Sequence, residues 1–218
     1  MLLQPDSKPR SPHGLYVRRG SKRTLGIALA VAAAVVAIET TTHLLDFGIY
    51  DLRIKLLDSA YEWSYSHLVA TSAFAAGTVC GFLGARAAQS LRGAWWVTCY
   101  LFGFLLVDNV TRLHEHLGPW PVLYAPILVG LFIALAALAR GSDLAVVVYA
   151  GIALLFVSLG IHVFGPGIVR IVGWSPSGWG YQVKVALKEG TELAGWVLLV
   201  PALAQLAQRA RMRQSSAV

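Results

Sequence analysis

Apolar runs close to the length that spans a bilayer recur along almost the whole chain, separated by short polar breaks. A helix needs about 20 such residues to cross the hydrocarbon core, and six segments meet that condition. The first covers residues 24–45, after a polar, basic, proline-containing stretch. The second covers 64–87 and the third 93–116. A Gly-Pro-Trp-Pro turn at 118–121 opens the fourth, which ends near Arg140. The fifth covers 144–164 and the sixth 179–207. The pattern predicts an all-α fold, a polytopic membrane helix bundle of about six transmembrane helices. It forms one domain over residues 24–208, with basic tails at 1–23 and 209–218.

Composition agrees. Of 218 residues, 56% are hydrophobic and only 13% charged, with mean hydropathy +0.62; soluble domains carry about a quarter charged residues. A net charge of +7 raises nucleic acid as a partner, but in a membrane protein the placement of basic residues reports orientation first. Lys8, Arg10, Arg18, Arg19, Lys22 and Arg23 precede the first span, and Arg86 and Arg92 separate the second from the third. Arg140 follows the fourth, and Arg209, Arg211 and Arg213 follow the sixth, so twelve of eighteen basic residues share one side. The positive-inside rule makes that side cytoplasmic, with both termini on it. The expectation is a multi-pass protein of the cell membrane whose first partner is the lipid bilayer, with no nucleic acid. The leading stretch is long and lacks a small-residue cleavage site, so it reads as a tail rather than a signal. Cys80 and Cys99 lie in apolar runs and form neither a disulfide framework nor a CxxC motif.

The acids go the other way. Glu39, Asp46, Asp51, Asp58, Glu62, Asp108, Glu115, Glu189 and Glu192 all fall in the outer half or outer loops. So do five of the six histidines, all except His13. Charge buried in a bilayer costs about 2.5–3.5 kcal/mol per residue on insertion scales and marks functional interiors. Glu39, His43 and Asp46 stand at i, i+4 and i+7, on one helix face. Asp108, Arg112 and Glu115 repeat that spacing, and Val185, Glu189, Glu192 and Trp196 share a stripe with Lys188 beside it.

Carboxylates and imidazoles converging from facing helices build metal sites in bundles, and mixed nitrogen and oxygen donors suit zinc, iron or manganese. The expected ligands of such a divalent metal are Glu39, His43, His67, Asp108, Glu115, His116 and Glu192. Glu189 is then a general base, and Lys188 or Arg112 holds an anionic headgroup while the ion activates water. The spacing matches neither His-Glu-x-x-His nor the paired Glu-x-x-His of di-iron bundles. A structural reading stands beside the metal one: Arg112 pairs with Asp108 and Lys188 with Glu192 at i+4, leaving Glu39 and Glu189 without a local partner. His162, alone on an apolar helix, reads as a packing residue.

Other features are read structurally. Ala73, Gly77 and Gly81 make a small-residue packing face. Trp95, Trp96, Trp120, Trp174 and Trp179 read as an interfacial belt. Residues 46–62 read as an amphipathic outer segment, and 164–180, with Arg170, as a loop or a lid over the acids.

Asp108-Asn-Val-Thr-Arg-Leu-His-Glu115 and Lys188-Glu-Gly-Thr-Glu-Leu-Ala-Gly-Trp196 resemble paired segments of small bacterial multi-span membrane proteins. In those, an Asp-containing helix ends in Leu-His-Glu and a later helix carries Glu-Gly-x-Glu. The family has no assigned activity, so the resemblance implies a shared site and no reaction. Three functions fit the residues. The first is a metal-dependent enzyme acting on a lipid or another membrane-resident small molecule. The second is a proton- or cation-coupled transporter, for which no internal repeat is visible. The third is an accessory subunit of a membrane complex, with haem ligation by His43, His67, His116 or His162 a lesser variant. Nothing in the pattern sets an oligomeric state.

Overall fold

A computed structural model describes residues 19–58, 61, 64–116, 120–175 and 177–215, without the side chains of 19–21, 114–115 and 120–123. The leading residues 1–18, Glu62, the start of the turn at 118–119 and residues 216–218 lie outside the described residues, as does the side chain of Glu115. The described residues form helices and turns only. In chain order these are α1 (Arg19–Tyr50), α2 (Tyr65–Ala87), α3 (Arg92–Thr111), the single turn α4 (Leu113–His116), α5 (Trp120–Ala139), α6 (Ala145–Val172) and α7 (Trp179–Ser215). Five of them, α1, α2, α3, α6 and α7, are long and apolar enough to cross a membrane, and α5 adds the apolar stretch Tyr124–Ala139. With no water in the hydrocarbon to satisfy backbone groups, closed helices are what such sequences form. The chain is a membrane-embedded helical bundle.

Helix α7 is its centre. Of its most apolar window 67% is buried inside the protein, against 17–33% for the other four spans. It packs on α1, α2 and α6, while α2 packs on α3 and α3 on α5. Glycine sets how close these crossings come. A Cβ on Gly190 would stand 3.3 Å from Val36 Cα and 3.4 Å from Glu39 Cβ, so α1 crosses α7 at this residue. Gly195 and Gly151 do the same for α7 and α6, each facing the other's carbonyl oxygen at 3.0 Å from a Cβ position. The predicted small face on α2 seats α3: Gly77 receives Phe102, Gly81 the Cys99 backbone and Gly84 the Trp95 ring. Phe74 meets Trp196 edge-on at 4.9 Å, joining α2 to α7 in the core.

Four expectations change. Helix α3 stops at Thr111, where Arg112 adopts left-handed φ 56° and its N–H closes on the Asp108 carbonyl at 2.6 Å. That break ends the regular spacing that put Glu115 on the face of Asp108. Helix α6 continues through Pro166 to Val172 and ends at Gly173, φ 72°, a residue without the Cβ that resists this conformation. The first half of the expected loop or lid at 164–180 is therefore helix. Asp46 belongs to α1 and is fully buried, so the connection expected to be an amphipathic outer segment begins only after Tyr50. Trp95 is 4% exposed, a core residue rather than part of a belt.

At the far end of α7, Arg209 Nη2 lies 3.1 Å from Asp143 Oδ2 in the α5–α6 turn. The Arg209 guanidinium holds the Asp143 carboxyl at about 2, below its usual value near 3.8. This pair stabilises the fold above the unfolded carboxylate range, and its contribution disappears as pH falls through about 2. Both side chains are well exposed, so Asp143→Asn should cost under about 1 kcal/mol at neutral pH and nothing at pH about 2. Thermal melts in detergent at the two pH values check this. Gly81→Val should be far worse, by about 1–3 kcal/mol, because its neighbour is backbone that cannot swing aside. Gly26→Ala, with nothing within 4 Å, should be neutral or stabilising in the same assay.

Candidate functional site

One turn of α7 carries three charges. Lys188 Nζ lies 2.9 Å from Glu189 Oε1 and 3.0 Å from Glu192 Oε2. Glu192 also receives the Ser158 hydroxyl from α6 at 3.3 Å. The Trp196 indole faces Glu192 without completing a hydrogen bond to it. Glu189 and Glu192 are three residues apart on one helical face, and Lys188 reaches both because its long side chain bends along the helix surface. Lys188 thus meets its expected i+4 partner and also Glu189, which local spacing had left alone.

The triad forms one wall of a cavity of about 370 Å³. Asp108 and Asn109 enter from α3, His67 and Phe74 from α2, Tyr124 from α5, and Ser158 and His162 from α6. Tyr124 directs its hydroxyl at Asp108, and Asn109 donates to Thr71 Oγ1 at 2.6 Å. Leu105, Leu128, Leu155 and Trp196 complete an apolar side. Of the residues singled out from sequence, His67, Asp108, Lys188, Glu189 and Glu192 therefore share one cavity. His162, read as a packing residue and as a lesser haem-ligand candidate, joins them.

The others lie elsewhere. Glu39 and His43 are fully buried at the α1–α7 crossing and do not line the cavity. Tyr65, the first residue of α2, donates to Glu39 Oε2, and its oxygen lies 3.1 Å from Thr42 Oγ1. Glu39 Oε1 is buried without a hydrogen-bond partner among the described residues. Glu39 is near enough to Glu189 for the two charges to act on each other. One turn along, His43 Nε2 lies 2.9 Å from Gln182 Oε1 of α7, and Nδ1 lies 3.6 Å from Asp58. Asp58 gets there because the chain folds back after α1. Asp51 and Leu52 take left-handed φ of 54° and 56°, Leu52 N–H bonds the Asp46 carbonyl at 3.2 Å, and Asp46 Oδ1 accepts from Ile54 N–H at 3.1 Å. Arg112 sits at the α3 break and His116 is exposed on α4; neither lines the cavity.

Among the described residues no group of three or more His, Cys, Asp or Glu is placed to hold a metal ion. Glu189 and Glu192 would be its natural pair, and the Lys188 ammonium already sits between them. Tyr65, Gln182, Tyr124 and Asn109 were missed from sequence, since neutral polar residues near helix ends look like caps or interfacial anchors, and Ser158 was missed because a lone serine within an apolar helix carries no local signal. The signal for Tyr65 was there in part: Ser64 caps α2 by accepting from His67 N–H at 3.3 Å, which fixes Tyr65 as the first residue of the helix facing α1.

Residues 24–206 match the family described as a domain of unknown function, DUF8692. The chain belongs to that family. The match runs from the second turn of α1 through the apolar part of α7, so α2, α3, α5 and α6, the apolar stretches of α1 and α7, and both polar clusters lie within the DUF8692 region. No curated protein and no solved structure matches the chain.

Tyr65→Phe strands a fully buried carboxylate and should cost about 1–3 kcal/mol. In a Glu39→Gln background the same change should cost less, because the remaining group is neutral. A double-mutant cycle read by thermal unfolding in detergent measures the difference; equal costs in both backgrounds would deny the coupling.

Proposed function

We propose that this DUF8692 protein is a multi-pass protein of the cell membrane that takes up a cation reversibly at the α7 cavity and couples it to transport. Both termini then lie in the cytoplasm, and the cavity lies in the outer half of the bundle, as the arginine distribution requires. The observation that carries the reading is the Lys188 ammonium between Glu189 and Glu192 in the wall of a cavity that also holds Asp108. Among the described residues of that lining three acids face one lysine, with His67 and His162 neutral in their unprotonated forms. An intramembrane site with surplus carboxylate favours a proton or another cation, which restores neutrality where solvent cannot. An internal ammonium on the same carboxylates makes binding an exchange, since the arriving cation replaces one already bound.

Metal-dependent hydrolysis draws less support, because Lys188 occupies the position between the two best ligands and the remaining candidates are divided between the cavity and the α1–α7 crossing. A carrier also needs a movable part. Helix α1 has the least buried apolar window, packs on α7 and α6, and reaches α2 through the Tyr65 contacts with Glu39 and Thr42. Its polar face lies beside Glu189, so a change of charge in the cavity is felt at that crossing.

Flux in proteoliposomes with an entrapped pH-sensitive dye tests the proposal. Wild-type protein should dissipate an imposed proton gradient faster than protein-free liposomes, saturably in an external alkali or ammonium cation. Glu189→Gln and Glu192→Gln each remove a charged hydrogen bond worth about 1.5–3 kcal/mol and should cut the rate about tenfold or more. Flux equal to protein-free liposomes, with chelator-sensitive turnover of a lipid substrate instead, would return the metal enzyme.

A further inference from the structure

We infer that the cavity takes an organic ammonium on an apolar body, an alkylamine-like amphiphile whose head replaces Lys188 Nζ between Glu189 and Glu192. The inference rests on the cation-binding reading and names its ligand class. Four observations select this class.

The first is the head site itself. Two carboxylates at 2.9 and 3.0 Å from a primary ammonium, with Ser158 behind one of them, form a built ammonium site. A second ammonium needs no new chemistry there. The Trp196 indole N–H, 3% exposed, is aimed at Glu192 and lacks a hydrogen-bond acceptor. It is a donor in place for a Glu192 oxygen that shifts as one ammonium gives way to another.

The second is size. A volume of about 370 Å³ holds roughly a dozen water-sized groups at about 30 Å³ each, far more than a dehydrated inorganic ion fills. Such an ion would also want six or more oxygen ligands, and the described residues offer no group of even three acidic, His or Cys ligands. The third is the wall. Phe74, Leu155, Leu105 and Trp196 present an apolar and aromatic surface beside the charges, which suits an alkyl chain and places ring faces near a cation.

The fourth is sign. Lys188 is already matched by two carboxylates, so it offers an anion little net attraction, and Asp108 adds repulsion. Lys184, one turn toward the start of α7, stays behind the wall: it packs against Gly165 of α6, its Nζ lies 5.0 Å over the Tyr181 ring, and it does not line the cavity, although its charge reaches Glu189. Among the described residues of this lining, a lipid phosphate or a fatty carboxylate therefore finds no lysine or arginine that is not already shared by two carboxylates.

Isothermal titration of the full-length protein in nanodiscs of zwitterionic lipid, with empty nanodiscs subtracted, tests the class. The probes are decylammonium, butylammonium, decanol and decanoate. Wild-type protein should bind decylammonium saturably at one site, and butylammonium about tenfold or more weakly for loss of buried methylenes. Decanol and decanoate should show no saturable heat. Glu192→Gln should weaken decylammonium about tenfold or more. Lys188→Met removes the internal competitor and should bind it more tightly, an outcome that a merely structural lysine would not produce. Saturable binding of decanoate, equal binding of decanol and decylammonium, or weaker binding by folded Lys188→Met overturns the inference. The wild-type selectivity stands whether or not a variant folds. Decylammonium bound but not moved in proteoliposomes leaves the ligand class intact and removes the carrier; proton flux without decylammonium binding does the reverse.

Discussion

Lys188 lies within 3.0 Å of both Glu189 and Glu192, and the rest of the bundle is arranged to make that contact tolerable. Each of these charges costs about 2.5–3.5 kcal/mol at the middle of a membrane helix, and attraction grows as the surroundings dry out. Three charges on one turn offset one another only if lipid is kept away from them. Helix α7 achieves this by being the most enclosed span, with α1, α2 and α6 packed around it. Gly190, within the triad, and Gly195, just beyond it, let α1 and α6 come close. The Glu-Gly-x-Glu segment is therefore both the chemical centre and the packing centre. A larger residue at 190 would push α1 away and open the acids to the bilayer.

The same crossing links two polar clusters that would otherwise be separate. Glu39 shares the α1–α7 interface with Glu189, is held by Tyr65 from α2, and has one carboxylate oxygen without a partner among the described residues. Beyond it, His43, Gln182 and Asp58 connect the α1 face to the turn that follows α1. Polar groups thus run from a partly exposed carboxylate to the cavity wall along one helix face. Glu189 and the polar face of α1 lie close enough for their charges to act on each other, across the crossing with the least buried of the five spans.

What could be read from the chain depended on whether a signal was local. Apolar runs, arginine placement and the i, i+3 and i+4 spacings are local, so the spans, the α2 small face and the Lys188–Glu192 pair were legible. The Asp108 and Glu189 segments also stood out, and both line the cavity. Where tertiary context decided, sequence was silent. Nothing local says that Arg112 will take a left-handed conformation usually given to glycine, or that α6 will run through Pro166. Tyr65 and Gln182 matter through partners 26 and 139 residues away. Metal ligation was expected because acids at one depth from several helices look convergent; their separation into two clusters depends on helix rotation, which spacing along single helices does not contain.

On the proposed function, the Glu189–Lys188–Glu192 contact is an exchangeable cation site rather than a fixed strut. Infrared difference spectroscopy of the membrane-reconstituted protein reads it directly, because carboxylate stretching bands shift when the cation they hold is replaced. Adding decylammonium should produce a carboxylate difference band that loses its Glu192 component in Glu192→Gln and is not produced by decanol. A carboxylate region unchanged by saturating ammonium, or an identical band in Glu192→Gln, would contradict the account.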